Sequence, residues 1–369
     1  VPSPNPALTL DALNHPILAW AELESYKWTA DKDRLALVRI PLIKYYEALK
    51  KYIRQGNGFY MTDWASMDNS PRNVCLAGGG TGIDISSEMV LFARNLAELS
   101  AILGYKEDAE NYNLEADSLA AIINARMWDN EREFYFDLTL DEEFCTNKTI
   151  AAFWTLISKT ATSERAELLA RQLTNPETFG RLHPVPTLSA DEKEYYPNGG
   201  YWSGAVWVMT NTMVIKGLEA YGYYDLAKSI AMKHLDAAAQ VFKKTGTFWE
   251  NYAADTIMEG INTNGAPVVK DIVGWGALAP VLYFIEYGIG LRPDASKNEL
   301  VWELSSNQKC GCKRFRFNNH IVDLIAEPMG KQTRIKVRSD GSFMLTINKN
   351  GTSRSYEVQK GKTTIRMDH

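Results

Sequence analysis

Carboxylates enclosed by aromatic side chains are the most chemically suggestive feature of this sequence. Gly58-Phe-Tyr-Met-Thr-Asp63-Trp64-Ala-Ser-Met-Asp68-Asn69-Ser70-Pro71-Arg72 sets two aspartates beside an indole, an amide and a guanidinium. Gly246-Thr-Phe248-Trp249-Glu250-Asn251-Tyr252 sets one glutamate among three aromatics. An apolar wall raises a carboxyl pKa, which suits a general acid, while a second carboxylate can activate water or attack directly. Such a pair is what glycosidic bond cleavage requires. On residue type alone, a helix cap or a surface charge is the plainer reading of each carboxylate. The ten tryptophans and eighteen tyrosines of the 369-residue chain suit stacking on sugar rings, and equally suit core packing.

Other chemistries find less support. The net charge is −5, with Lys and Arg dispersed rather than gathered into runs, so nucleic acid is not an expected partner. There is no apolar run of membrane-spanning length. The opening Val-Pro-Ser-Pro-Asn-Pro shows no leader pattern, and periplasmic, secreted and cytoplasmic locations all stay open. His15, His183, His234, His320 and His369 form no metal-ligand pair, and Cys75, Cys145, Cys310 and Cys312 read as structural, so no metal or cofactor is expected. Gly78-Gly-Gly-Thr-Gly82 lacks the Lys-Ser/Thr ending of a phosphate loop.

These residues must be positioned by helices. Apolar residues recur at three and four from His15 to about Gly290, predicting helices at 15–26, 33–55, 83–103, 106–127, 148–159, 163–173, 201–221, 224–243 and 273–290. The helices come in pairs, joined by long Gly-, Pro- and Trp-rich loops at 56–82, 128–147, 175–200 and 245–271, and loops of that length are usually functional. The expected fold is mainly α, an (α/α) toroid of hairpins with a cleft at one end, with a non-toroidal helical array as the alternative that periodicity leaves open. After Arg292-Pro293-Asp294 the period changes to that of strands, with turn signals at Asp340-Gly341 and Asn350-Gly351. The expected domains are a catalytic one over 1–295 and a small antiparallel, sandwich-like β domain over 296–369.

Met67-Asp68-Asn69-Ser70-Pro71-Arg72 resembles the Gly-Trp-Asp-x-Ser-x-Arg segment of trehalases and processing α-glucosidases, glycoside hydrolase families 37 and 63. The resemblance continues through Gly82-Ile-Asp84-Ile, Leu103-Gly104, Met127-Trp128-Asp129, Phe134-Tyr-Phe-Asp137, Tyr201-Trp202-Ser-Gly204-Ala-Val-Trp207 with Asn211, and Phe248-Trp249-Glu250-Asn251-Tyr252. It implies an (α/α)₆ toroid and an inverting α-glycosidase, with Asp68 as general acid and Glu250 as general base. Inversion in turn implies a carboxyl separation of roughly 6.5–9.5 Å. A carbohydrate substrate would meet Trp64, Asn69, Arg72, Asp84, Tyr201, Trp202, Trp207, Asn211 and Trp249.

Alternatives stand beside several of these assignments. Asp84 could cap the helix that follows it, Arg72 could pair with a structural carboxylate, and both tryptophans could be core. Trp202 has the stronger claim to the cleft, and Asp63 is a rival acid. Ser66-Met67 departs from the family's Gly-Trp before the acid, which weakens trehalose as the substrate. About ten helices fall short of twelve, and no aromatic-Trp-Asp segment precedes His15, so a further segment or a second chain is expected to complete the ring. The rival functions are a non-catalytic glycan-binding protein and a polysaccharide lyase.

Overall fold

The computed structural model describes residues 15–61, 67–272 and 274–368. Ten α-helices are described: α1 (Leu18–Thr29), α2 (Lys32–Ile53), α3 (Arg72–Leu76), α4 (Ile83–Leu103), α5 (Lys106–Arg126), α6 (Trp154–Ile157), α7 (Ser163–Thr174), α8 (Val208–Ala220), α9 (Tyr224–Thr245) and α10 (Gly274–Tyr283). Two small hairpins interrupt them, β1 (Trp128–Asp129) with β2 (Phe134–Tyr135) and β3 (Asp137–Leu138) with β4 (Phe144–Cys145). The chain divides into two compact units, Val1–Trp20 with Val38–Pro280, and Ala21–Leu37 with Val281–His369.

In the first unit α4 packs along α5, α8 packs along α9, and α6 lies against both α4 and α8. Helix α4 is buried along most of its length, as befits a helix that is apolar on more than one face. It stops where the sequence predicts, at Gly104, whose left-handed φ of 88° lets its N–H close the last turn onto Ser100 and Ala101. The helix expected from Tyr201 is broken. Tyr201–Ser203 forms a 3₁₀ turn, Gly204 follows at φ 146°, and α8 begins only at Val208. At Gly204 a Cβ would lie 2.6 Å from the Tyr196 carbonyl oxygen, so the turn admits no side chain there.

A disulfide, Cys75–Cys145, joins α3 to β4, a pairing that spacing in the sequence did not reveal. Beside it, Asp137 is the cross-strand partner of Cys145, and Arg72 on α3 donates to Asp137. Helix α3 is therefore fastened to one hairpin by a covalent and an ionic link.

The second unit holds β5 (Leu291–Asp294), β6 (Glu299–Glu303), β7 (Cys310–Phe317), β8 (His320–Met329), β9 (Gln332–Ser339), β10 (Phe343–Lys349), β11 (Thr352–Val358) and β12 (Gly361–Asp368). They form two four-stranded sheets, ordered β11-β10-β6-β5 and β12-β9-β8-β7. Pairing is antiparallel except between β6 and β10. Between those two the chain leaves to build β7, β8 and β9, then re-enters the first sheet in the same direction. Strand alternation buries one face of each sheet in a shared core around Trp302, Leu324, Val337, Leu345 and Ile347. The boundary expected after residue 295 falls inside this unit. The reason is packing: Leu291, Ile285 and Ile289 already belong to its core, and Trp302 Nε1 donates to the Ile289 carbonyl at 3.0 Å.

Candidate active site

Asp68 and Glu250 line one cavity of about 410 Å³. Its other walls are Tyr201, Trp202, Trp207, Trp154 and Trp275, with His15, Ile17, Met209, Thr210 and Met213. A concave, mainly apolar space with a few converging polar groups is the general form of a small-molecule site. Trp202 and Trp207 stack on each other, centroids 4.4 Å apart and planes 9° from parallel, and Tyr201 meets Trp207 edge-on at 4.8 Å.

The two carboxylates are held differently. Asp68 lies just before α3, where the Asn73 side-chain amide donates to the carbonyls of Met67 (2.7 Å) and Asp68 (3.1 Å) and fixes the turn. Loss of solvent raises the Asp68 carboxyl above its ordinary range, against a lowering contribution from its own backbone N–H. Glu250 is tied into the loop after α9. Its backbone N–H donates to the Val269 carbonyl at 2.9 Å, and the Glu250 carbonyl accepts from Trp275 Nε1 at 3.2 Å. Its Oε1 accepts from the Tyr201 hydroxyl at 3.3 Å. Burial, then the charges of Glu250 and Asp68, push the Tyr201 phenol well up, so it stays a donor.

The expected substrate residues divide into two groups. Tyr201, Trp202 and Trp207 line the cavity together with both carboxylates. Arg72, Asp84, Asn69, Asn211 and Trp249 are not among its lining residues. Arg72 is buried, with a fork on Asp84 (2.5 and 2.9 Å) and a second on Asp137 (2.7 and 2.6 Å). Of its two sequence readings, the structural ion pair is the one formed. Asp84 is spent on Arg72 and on the Ile85 N–H at the start of α4. Burial, the largest single influence, favours a higher Asp84 pKa, but the Arg72 charge and hydrogen bonds, with His15 and the Ile85 N–H, together hold the carboxyl low. Asn211 is fully buried, donating to the Pro184 carbonyl at 3.0 Å and facing His234 at 3.2 Å. Trp249 donates from Nε1 to Thr245 Oγ1 at 3.1 Å. Asn69 bonds the backbone of residues 200 and 202. Trp64 and the rival acid Asp63 lie outside the described residues.

His15, Trp154 and Trp275 are lining residues that sequence reasoning did not assign to the site. His15 stacks on Trp154 at 4.9 Å, and its Nδ1 bonds Glu88, a buried carboxylate of α4. Burial lowers the imidazole pKa, but Glu88 more than compensates, so the net direction is upward. Met209, Thr210 and Met213 share one face of α8, and nothing local separates such a face from ordinary core. Among the described residues no group of three or more His, Cys, Asp or Glu could hold a metal ion, and no helix is long and apolar enough to cross a membrane.

The profile of the mannosylglycerate hydrolase MGH1-like glycoside hydrolase domain matches residues 8–257. The chain belongs to this family. This glycoside hydrolase is 28% identical to an uncharacterised protein of Borreliella burgdorferi, covering 96% of the chain and 76% of the relative. It is 30% identical to the mannosylglycerate hydrolase of Rubrobacter radiotolerans, over 45% of the chain but only 36% of that enzyme's length. In fold the hydrolase is similar to the mannosylglycerate hydrolase of Thermus thermophilus solved with glucose, with a TM-score of 0.60 and 21% identity over 74% of this chain and 75% of that one. A carbohydrate substrate follows from the family.

Proposed function

We propose that the protein hydrolyses an α-linked glycoside with inversion, Asp68 acting as general acid and Glu250 as general base. The observation that carries this reading is the shared cavity: two carboxylates, distant in sequence, open into one space walled by indoles. In the proposed step Asp68 protonates the leaving oxygen, which is the role that its raised carboxyl pKa suits. Glu250, held by the Tyr201 hydroxyl, removes a proton from the water that attacks the anomeric carbon from the other side. Trp202 and Trp207, stacked on each other, form part of an apolar wall for the ring. The helical hairpins of the first unit support an (α/α) toroid as the scaffold.

The activities of the relatives suggest glycosides of small hydroxy acids as first candidates, and His15 adds the one basic side chain among the described lining residues. No cluster of Lys or Arg lines the cavity among those residues, which disfavours a uronate lyase. The test is hydrolysis of α-mannosylglycerate, α-glucosylglycerate and neutral α-glucosides, with proton NMR of the first-formed anomer. Inverted product is expected, with Asp68→Asn and Glu250→Gln each losing about 10²–10⁴-fold in kcat. Retained configuration, or wild-type rates in both variants, would overturn the assignment.

A further inference from the structure

Asn69 holds the turn that brings Tyr201 to Glu250. Its Nδ2 donates to the Gly200 carbonyl at 2.9 Å, and its Oδ1 accepts from the Trp202 N–H at 2.8 Å. The Ser203 hydroxyl donates back to the Asn69 carbonyl at 3.3 Å. One amide thus grips the backbone on both sides of Tyr201. That backbone needs holding, because Gly200 and Tyr201 are successive left-handed residues at φ 61° and 62°, and a tyrosine adopts that region only under constraint. The strained conformation has a consequence at the cavity. It is the one in which the Tyr201 hydroxyl reaches Glu250 Oε1 and the ring meets Trp207 edge-on.

We infer that Asn69 is a positioning residue that sets the Tyr201 hydroxyl against Glu250, so that the segment bearing Asp68 also fixes the partner of the opposite carboxylate. Asn69 does not line the cavity, yet it is covalent neighbour to the proposed acid and clasp for the partner of the proposed base. A shift of either wall is transmitted to the other through two hydrogen bonds. The inference rests on the hydrolase reading above.

The experiment compares Asn69→Ala, Tyr201→Phe and the double variant on the best α-glycoside of the panel, with hydrogen exchange at the Trp202 amide as a readout independent of activity. Asn69→Ala is expected to lower kcat by up to about 10²-fold, the scale of a misplacement near 1 Å, with KM nearly unchanged. The Trp202 amide, freed of its acceptor, should exchange at least about tenfold faster. Tyr201→Phe keeps every backbone bond and should lose a similar factor, and the double variant should lose no more than the worse single one. Wild-type kcat in Asn69→Ala, or losses that multiply in the double variant, would overturn the inference. Should Asp68→Asn and Glu250→Gln abolish activity while Asn69→Ala is neutral, only the positioning role falls. Should those two variants stay active, the hydrolase reading falls and takes the positioning role with it.

Discussion

Replacing Arg72 by leucine would strand two carboxylates behind the candidate site. The guanidinium and both partners are 2% exposed, and Arg72 makes four charge-assisted bonds to Asp84 and Asp137. Breaking one buried pair costs about 3–5 kcal/mol, mostly the penalty of the charge left behind. Two pairs share this arginine, but an abandoned carboxyl takes up a proton rather than stay charged, which limits the sum. We therefore expect about 4 kcal/mol lost at pH 7. The sign with pH follows from the carboxyls. In the intact protein Arg72 holds Asp84 below its ordinary value of 3.8, so that contribution is present above pH 3.8 and lost only as pH falls through the folded value. Without Arg72, burial alone raises the folded value, and the penalty instead grows as pH rises from 3.8. The deficit should therefore be largest at neutral pH and shrink on acidification by up to about 1.4 kcal/mol per pH unit for Asp84, while Asp137, which burial already holds above its ordinary value in the intact protein, adds less. Equilibrium denaturation followed by circular dichroism and tryptophan fluorescence at pH 7 and pH 5 measures it. Arg72→Lys should fall between, keeping the charge but not the forks. A variant with leucine at 72, 84 and 137 should recover much of the loss, because no charge remains to be desolvated. A deficit under about 1 kcal/mol at pH 7, or one that widens in acid, would refute this account.

The Cys75–Cys145 disulfide spans a separation of 70 residues, for which the loop-closure relation gives about 4 kcal/mol. Cys75→Ser with Cys145→Ser should lower Tm accordingly, and reductant should do the same to the unaltered protein but not to the double variant. His234 is pushed down to about 3 by burial, and His183, 3.0 Å from it, lies well below its ordinary value for the same reason. Above pH 6.5 neither state binds these protons. As pH falls below 6.5 the unfolded chain takes them up first, so stability should fall by about 1.4 kcal/mol per unit for each imidazole. Urea midpoints between pH 7 and pH 4 would reveal it, and His234→Asn should flatten the slope by about half. An unchanged slope would locate the acid sensitivity elsewhere.

How far the fold could be read depended on how local its determinants are. The range 83–103 coincides with α4 because a long apolar stripe and a left-handed glycine both act within one turn of the residues they govern. Helix α5 ends at Arg126, one residue short of expectation. The five-residue α3 and the two-residue strands at 128–145 were missed, since segments that short complete no period and owe their form to Cys75–Cys145 and the Arg72–Asp137 pair. Strand β12 carries little pattern of its own. It turns only Ile365 and Met367 inward, so its sequence reads as polar.

The site divides along the same line. Asp68 and Glu250 stood out because aromatic and acidic residues are concentrated in long loops, Tyr201 and Trp202 because they match the family's segment, and all four line one cavity. Arg72 was ambiguous for a physical reason. A guanidinium four residues after the proposed acid suits a sugar hydroxyl or a carboxylate equally, and the residue that decides, Asp137, lies 65 positions away. Trp154 and Met213 carried no signal, because a helix face turned to a cavity has the same spacing and hydrophobicity as one turned to core, and the cluster of Leu91, Trp154, Ile157 and Met213 is core on one side while Trp154 and Met213 are cavity wall on the other; His15 precedes α1, and its partner Glu88 lies 73 positions away. What local pattern supplies is therefore the candidate reacting groups. What it withholds is the buried frame behind them, Arg72 with its two aspartates and Asn69 on its turn, where each partner is chosen by the tertiary fold.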